Sequence, residues 1–244
     1  LASEIDKQKQ IAKNAEEIAK EKSREIEGIA SQLSKYLSPQ LFNSIFSGEK
    51  KVLIESEKKF ITVFFSDIVS FTSISDNMES LPLTEMLNLY LTKMSKIALK
   101  YGGTIDKYIG DSVMIFFGDP ETAGKKQDAL NCVKMAIEMQ NTMKKLSKSF
   151  MNDFNLSSPL NIRIGIHSGE CTVGNFGSEK RLDYTVIGGT VNLASRLESN
   201  SPEGQILISK ETRSLIKNEI DCKKYGEIKV KGFEDNISTF IPNF

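Results

Sequence analysis

The clearest structural signal in the sequence is TIDKYIGDSVMIFFG, residues 104–118. Two short apolar runs flank Gly110-Asp111, and a pair that begins with glycine suits a type II′ hairpin turn. The sequence therefore predicts two antiparallel strands with Asp111 at the tip of the hairpin. Because Asp is a common turn residue, its presence at a tip also has a purely local explanation.

A strand and a helix precede this hairpin, and a helix and a strand follow it. KFITVFF, residues 59–65, is typical of a buried strand that ends at Ser66-Asp67. Helical spacing of apolar residues separates this strand from the hairpin, and separates the hairpin from NIRIGIHSGECTVGNFG, residues 161–177. The order strand, helix, hairpin, helix, strand predicts an α+β sandwich, a mixed sheet with helices on one face.

The amino-terminal segment differs from the rest of the chain in its composition and in the spacing of its apolar residues. Residues 1–37 are rich in Lys, Glu, Ala and Ile, and their apolar positions follow four-three spacing that is interrupted at Lys22. We predict a coiled-coil signalling helix with a stutter there; a solvated single helix is the alternative. Ser38-Pro39 ends the pattern, which predicts a linker over residues 38–57 and a globular domain over 58–244.

Composition narrows the classes of function. Lys plus Arg equals Asp plus Glu, 32 each, so no net positive field attracts nucleic acid. His167 is the only histidine, which excludes a histidine-rich metal cage, and we interpret it as structural. The three cysteines lack metal-ligand spacing and favour a reducing setting. No apolar run has membrane-spanning length.

These features favour a cytoplasmic location. The chain opens at Leu1 in helix-like sequence, so we expect a piece cut from a longer protein. Whether that longer protein is attached to a membrane stays open.

Asp67 and Asp111 are the first candidates for chemistry. Adjacent central strands would bring the two carboxylates to one end of the sheet, where they repel unless a divalent cation neutralises them. Hard oxygen ligands suit Mg²⁺ or Mn²⁺. The local alternative is that Asp67 only caps the following helix. Four backbone amides at that helix start would suit a triphosphate, those of Val69, Ser70, Phe71 and Thr72.

Three further polar side chains have both a functional and an ordinary interpretation. Asn192 and Arg196 are spaced i, i+4 and therefore project from one helix face. Arg196 alone is more typical of a surface ion pair, for example with Glu198. Lys107, on the strand before the Asp111 turn, is alone typical of an exposed strand lysine.

Five segments, taken in order, resemble the motifs of class III nucleotidyl cyclases at similar spacing. They are FFSDIVSFT (64–72), GTIDKYIGDSVMIFFG (103–118), NIRIGIHSGE (161–170), YTVIGGTVNLASRLE (184–198) and IKVKG (228–232). The resemblance covers about residues 58–244. It implies a ferredoxin-like βαββαβ core with extra elements, which forms a head-to-tail homodimer, and a reaction that makes a 3′,5′-cyclic nucleotide and pyrophosphate.

The resemblance implies roles for the residues that contact metal and phosphate. Asp67 and Asp111, with the carbonyl of Ile68, match the ligands of two Mg²⁺ or Mn²⁺ ions per active site. Arg163 and Lys231 match residues that contact the triphosphate. By the same resemblance each pocket is shared: one subunit supplies the metal ligands and Arg163, and its partner supplies the remaining residues.

The resemblance also implies roles for the residues that contact ribose, base and α-phosphate. Asn192 matches the residue that orients the ribose, and Arg196 matches the arginine that stabilises charge on the α-phosphate. Lys107 and Thr185 occupy the two base-reading positions. Gly189 departs from the pattern, because many relatives carry an acidic residue or Asn there, and this puts the efficiency of the reaction in question.

Base choice follows from hydrogen-bond chemistry. A lysine carries only donors and suits adenine N1, whereas a threonine hydroxyl can accept from the N6 amine. Guanine reverses both groups, and Lys paired with Thr marks an adenylyl-cyclase subtype of the family, so the expected substrate is ATP. The alternatives are a guanylyl cyclase and a non-catalytic nucleotide-sensing dimerisation domain. An RNA-binding sheet would need exposed aromatics and a basic surface. We also expect an upstream sensor that acts through the amino-terminal helix.

Overall fold

The computed structural model describes residues 2–48, 55–230 and 236–244. The chain divides into two compact units, Leu1–Lys50 and Lys51–Phe244. None of the described helices combines the length and the apolar character needed to span a bilayer.

The amino-terminal unit is helical. Helix α1 (Ala2–Leu33) is followed by a 3-10 turn (Ser34–Tyr36) and by α2 (Pro39–Phe46). Ser38 caps α2, because its hydroxyl accepts from the Leu41 N–H at 3.3 Å. The predicted amino-terminal helix is confirmed, and its pairing into a coiled coil stays a prediction. Five apolar residues of the predicted seam are more than half exposed: Ile11, Ile18, Ile26, Ile29 and Leu33.

The second unit combines strands and helices in the predicted order. Its described strands are β1 (Ser56–Ile68), β2 (Thr104–Ile109), β3 (Ser112–Phe117), β4 (Ile162–Ser178), β5 (Arg181–Ile187), β6 (Ile206–Ser209), β7 (Cys222–Ile228) and β8 (Ile237–Pro242). Its described helices are α3 (Phe71–Asn77), α4 (Ser80–Lys100), α5 (Lys125–Asp153), α6 (Gly189–Asn200) and α7 (Lys210–Ile216).

The strands form one mixed sheet. Their order is β2-β3-β1-β4-β6-β8-β7, with β5 paired to β4. β1 lies antiparallel between β3 and β4, and β2 is antiparallel to β3. The order β4-β1-β3-β2, connected by α3 and α4 and by α5, is the predicted ferredoxin-like βαββαβ core, which is confirmed. β6 extends it because it pairs parallel to β4.

β1 is buried on both faces. Phe64 belongs to the core cluster that includes residues of α4 and α5. Val63 and Phe65 point the other way, into a second cluster with Val186 of β5 and Ala194 of α6. The expectation of helices on one face is therefore wrong for α6, which covers the opposite face. The reason is that a continuously apolar strand has no polar side to leave in water.

Helix α6 contacts the sheet at Gly165 of β4. A Cβ atom at this position would lie 2.0 Å from the backbone nitrogen of Glu198 and 2.5 Å from the carbonyl oxygen of Ala194. No side chain fits in that space, so glycine lets the backbone of α6 rest on β4. This contact places the buried side of α6 beside the strands that carry the candidate site.

Candidate active site

Asp67 lies near the end of β1, opposite Arg163 of β4 in the antiparallel register. Arg163 Nε and Nη2 donate to Asp67 Oδ1 and Oδ2 at 3.1 and 2.7 Å. The side chains are only 29% and 22% exposed, so water screens the pair incompletely. The hydrogen bond to Asp67 raises the pKa of Arg163 above its ordinary value. An arginine therefore neutralises the first predicted metal ligand.

Asp111 lies at the tip of the β2–β3 hairpin, next to Gly110, whose φ of 64° is available to glycine at little steric cost. Asp111 Oδ2 accepts from the Ile68 N–H at 2.8 Å. Burial raises the pKa of Asp111, and the negative charge of Asp67 adds to the effect, against the hydrogen bond from Ile68. The two carboxylates therefore meet at one end of the sheet, close enough to influence each other's ionisation.

This donor set fits a hard divalent cation. The Asp67 and Asp111 carboxylates and the Ile68 carbonyl offer only oxygen, which Mg²⁺ and Mn²⁺ prefer. Over residues 2–48, 55–230 and 236–244 there is no cluster of three or more His, Cys, Asp or Glu side chains that could hold a metal. An ion held here would thus rely on two carboxylates plus backbone or substrate oxygens, as Mg²⁺ commonly does. Arg163 would have to release Asp67 to admit it.

The turn from β1 into α3 provides backbone donors. Ser70 adopts the left-handed conformation, with φ 60° and ψ 26°, and α3 begins at the next residue. The Val69 N–H donates to the carbonyl of Asn161 at 2.9 Å, because the chain still follows β4 at that point. Of the four amides predicted to meet a triphosphate, those of Ser70, Phe71 and Thr72 therefore remain candidates.

The two residues predicted to contact the base, Lys107 and Thr185, both contact a third residue, Asp106. The Thr185 hydroxyl of β5 donates to Asp106 Oδ2 at 2.5 Å, and Lys107 Nζ lies 3.4 Å from Asp106 Oδ1. No sequence pattern indicated a role for Asp106, although it directly precedes Lys107. Alternation along a regular strand would put these two side chains on opposite faces, and only the local backbone geometry overrides it.

Helix α6 carries two further candidates on its outer face. Asn192 and Arg196 are exposed. Within the residues that the structure describes, neither side chain forms a hydrogen bond or an ion pair. The interpretation of Arg196 as an ion-pair partner of Glu198 is wrong, because residues two apart on a helix do not share a face.

Glu198 points inward from α6 instead. Its Oε1 lies 3.5 Å from Arg163 Nε, and its side chain is almost fully buried. Burial raises the pKa of Glu198 to about 8, and the neighbouring carboxylate of Asp67 adds to the effect. Arg163 is thus flanked by two carboxyl groups, one from β1 and one from α6. Sequence reasoning missed Glu198 because it considered only neighbours on the same helix.

Two predicted residues lie elsewhere. Lys231 lies outside the described residues. His167 is buried in the first half of β4, with Nδ1 2.8 Å from the hydroxyl oxygen of Ser209. Burial lowers its pKa to about 4, which keeps the ring neutral at physiological pH. The structural interpretation of His167 agrees with this environment.

Comparison with known proteins identifies the family. Residues 54–243 match the model of the adenylate and guanylate cyclase catalytic domain. The adenylate cyclase of Anabaena cylindrica is 36% identical over 191 residues, which cover 74% of this chain and 36% of that protein. The chain spans only 10% of the length of the terminal-differentiation specific adenylate cyclase of Dictyostelium discoideum, to which it is 33% identical over 225 residues.

Solved structures of similar proteins are also nucleotidyl cyclases. The adenylyl cyclase CyaB from P. aeruginosa is 54% identical, with a TM-score of 0.76 over 78% of this chain and 97% of that one. The guanylyl cyclase Cya2 is 34% identical, with a TM-score of 0.72 over 78% of this chain and 94% of that one. The fold and the site thus define a class III nucleotidyl cyclase domain. The chain belongs to the adenylate and guanylate cyclase catalytic domain family.

Proposed function

We propose that the chain is an adenylyl cyclase domain, which makes 3′,5′-cyclic AMP and pyrophosphate from ATP at pockets shared by two copies. The observation that carries the choice of ATP is the convergence of Lys107 and Thr185 around one buried carboxylate. A lysine offers donors and a threonine hydroxyl can accept, which matches the N1 and N6 groups of adenine.

The metal end of the pocket would be formed by Asp67, Asp111 and the carbonyl of Ile68. When bound there, two Mg²⁺ or Mn²⁺ ions would supply Lewis acidity toward the ribose 3′-hydroxyl and the triphosphate. Arg163 would exchange its bond to Asp67 for a phosphate oxygen, with the Glu198 side chain still beside it. Lys231 would contact the triphosphate as well, together with the amides at the start of α3.

The reaction is an intramolecular displacement. The ribose 3′-oxygen loses its proton and forms a bond to the α-phosphorus, while the bond to the bridging oxygen breaks and pyrophosphate leaves. Asn192 would orient the ribose so that this oxygen is in line. Arg196 would donate to the oxygens of the α-phosphate, where negative charge accumulates in the transition state. No protein nucleophile takes part.

The orientation of α6 supports sharing between two copies. Glu198 turns toward the chain's own Asp67 and Arg163, whereas Asn192 and Arg196 lie on the exposed face. Groups on the exposed face cannot reach inward past their own helix, so they suit the pocket of a second copy. A symmetric homodimer then contains two such pockets.

The remaining organisation follows from the same proposal. Residues 1–37 would be a signalling helix that pairs as a coiled coil, 38–57 a linker, and 58–244 the catalytic domain. A sensor upstream of the helix would change activity by shifting the two half-sites, because a displacement of about 1 Å can change a rate by about 10²-fold.

A cyclase assay tests the proposal. The purified chain is incubated with ATP or GTP and with Mg²⁺ or Mn²⁺, over a range of protein concentrations, and the products are identified by mass. We expect cyclic AMP to dominate and specific activity to rise with protein concentration as dimers form. Asp67→Asn, which keeps the shape and removes the charge, serves as the inactive control.

Two other outcomes of the assay would favour the alternative functions. If cyclic GMP made from GTP is the dominant product, the chain is a guanylyl cyclase. Nucleotide binding without a cyclic product at concentrations where the dimer is complete would make it a non-catalytic sensing domain.

A further inference from the structure

Asp106 occupies an irregular position in β2. The register between β2 and β3 shifts between Ile105, which pairs with Ile115, and Lys107, which pairs with Met114. Asp106 is therefore the extra residue of a β-bulge. A bulge breaks the alternation of side chains and redirects the residue it inserts. As a result Asp106 and Lys107, although adjacent in sequence, contact each other at 3.4 Å.

The Asp106 carboxylate is fixed on both sides. Its side chain is 1% exposed, with Lys107 Nζ near Oδ1 and the Thr185 hydroxyl bonded to Oδ2. A buried carboxylate is unfavourable unless it is paired and hydrogen-bonded, and here it is both. Neither partner can turn away without leaving that charge unsatisfied.

The bond to Asp106 determines what Thr185 can offer to a ligand. A threonine hydroxyl has one proton and two lone pairs. Because the proton goes to the Asp106 carboxylate, which can only accept, the hydroxyl oxygen faces any ligand as an acceptor. The Lys107 ammonium can only donate. The pair thus presents one fixed acceptor and one fixed donor.

We propose that Asp106 is the residue that makes the pocket selective for adenine over guanine, by fixing the Thr185 hydroxyl as an acceptor and holding Lys107 beside it. Adenine carries a donor at N6 and an acceptor at N1, which complement this arrangement. Guanine carries an acceptor at O6 and a donor at N1, which oppose it. Asp106 acts as a positioning residue and does not touch the base. The inference rests on the proposed function, in which Lys107 and Thr185 read the base.

Asp106→Asn tests the proposal with almost no change in shape. The asparagine oxygen would turn toward the Lys107 ammonium, so its amide would donate to Thr185 and release the hydroxyl proton toward the ligand. We expect the ratio of kcat/KM for ATP to that for GTP to fall by about ten- to a hundredfold, the effect of reversing one hydrogen bond in a buried site. A merely structural defect would lower both values together and leave the ratio unchanged.

Asp183→Asn is the matched control. Asp183 is exposed on β5, two residues before Thr185, and its charge acts on Asp106 only at a distance. Its loss should leave the nucleotide ratio within about twofold, since exposed charges are screened. If the wild type prefers ATP and Asp106→Asn has the same ratio of kcat/KM for ATP to that for GTP, the inference about Asp106 is overturned. The proposed function is then unaffected. A wild type without preference for ATP would instead refute the proposed function.

Inosine triphosphate provides a measurement that needs no variant, should Asp106→Asn fail to fold. It carries the O6 acceptor and N1 donor of guanine without the 2-amino group. A hydroxyl fixed as an acceptor rejects it, so its kcat/KM in the wild-type chain should lie at least about tenfold below that of ATP and near that of GTP. Turnover of inosine triphosphate close to that of ATP would overturn the fixed-acceptor inference.

Discussion

The position of Arg196 gives its side chain little opportunity to stabilise the fold. It is exposed on α6 and pairs with nothing in the described part of the chain. An arginine in this situation contributes little to folding, because solvent screens its charge. It lies on the same exposed helix face as Asn192. A variant at Arg196 therefore tests the proposed chemistry with little effect expected on folding.

Arg196→Ala should lower kcat by about 10²- to 10³-fold, because it removes a preorganised donor to the α-phosphate. The midpoint of thermal unfolding should stay unchanged, since the side chain has no intramolecular bond to lose. Steady-state kinetics and calorimetry check the two parts. Lys210→Ala, which removes an exposed positive charge at the start of α7, is the control and should leave kcat unaffected. Equal effects of the two variants would contradict the role of Arg196.

His167 makes stability depend on pH. Burial lowers its pKa from 6.5 to about 4 against the opposing effect of the Glu211 carboxylate, which lies 3.7 Å from Nδ1. The unfolded chain therefore takes up a proton near pH 6.5 and the folded chain only near pH 4. The stability that the neutral ring contributes is fully present above pH 6.5 and is lost as the pH falls toward 4.

The comparison with His167→Gln isolates this effect. Between pH 6.5 and 4, wild type should lose about 3 kcal/mol more free energy of unfolding than the variant, and the difference should stay constant above pH 6.5. Urea unfolding at a series of pH values measures it. Parallel curves for the two proteins over that interval would show that the ring takes up its proton at the same pH in the folded and the unfolded chain.

Among the secondary-structure elements, α6 packs closely on β4 because Gly165 has no side chain. Gly165→Ala would press a methyl group against backbone atoms of Ala194 and Glu198, which cannot rotate away. We expect a loss of about 3 kcal/mol in the free energy of unfolding, the upper end for overpacking. Gly189→Ala, at the start of α6 with nothing within 4 Å of the added carbon, should change it by less than about 0.5 kcal/mol. Chemical denaturation compares the two, and similar losses would argue against the close contact.

The elements that sequence could predict are those with local causes. The apolar run 59–65 and the Gly110-Asp111 turn carry their own signals, and β1 and the hairpin form where those signals indicate. Contacts set by register are different. The pair between Arg163 and Asp67 joins residues 96 apart, and it exists because β4 aligns with β1 in one register of many.

Irregular geometry lies furthest from what a pattern can reveal. A rule of alternation places Asp106 and Lys107 on opposite faces, and the bulge that unites them depends on how β2 meets β3. Glu198 likewise points inward because α6 covers the second face of the sheet. The sequence pattern had predicted helices on one face only. In both cases the residue lies one or two positions from one that the motif had already indicated.

At the scale of the whole molecule, shared pockets make a distinctive prediction. Asp67→Ala and Asn192→Ala should each be inactive alone, because each removes one half of every pocket. In an equal mixture, half of the dimers are mixed and each of these has one intact pocket, so about a quarter of wild-type activity should return. The cyclase assay on mixed chains measures the recovery. Two variants that stay inactive together, while still exchanging subunits, would place each pocket within a single chain.

The two-sided character of α6 has a kinetic consequence. Its inner side touches the arginine of one reaction centre through Glu198, and its outer side would offer Asn192 and Arg196 to another. A ligand that draws Arg163 away from Asp67 in the first centre pulls on the helix that serves the second. If the pockets are shared as proposed, occupancy of one centre would affect the other, and turnover should respond to substrate with a Hill coefficient different from one.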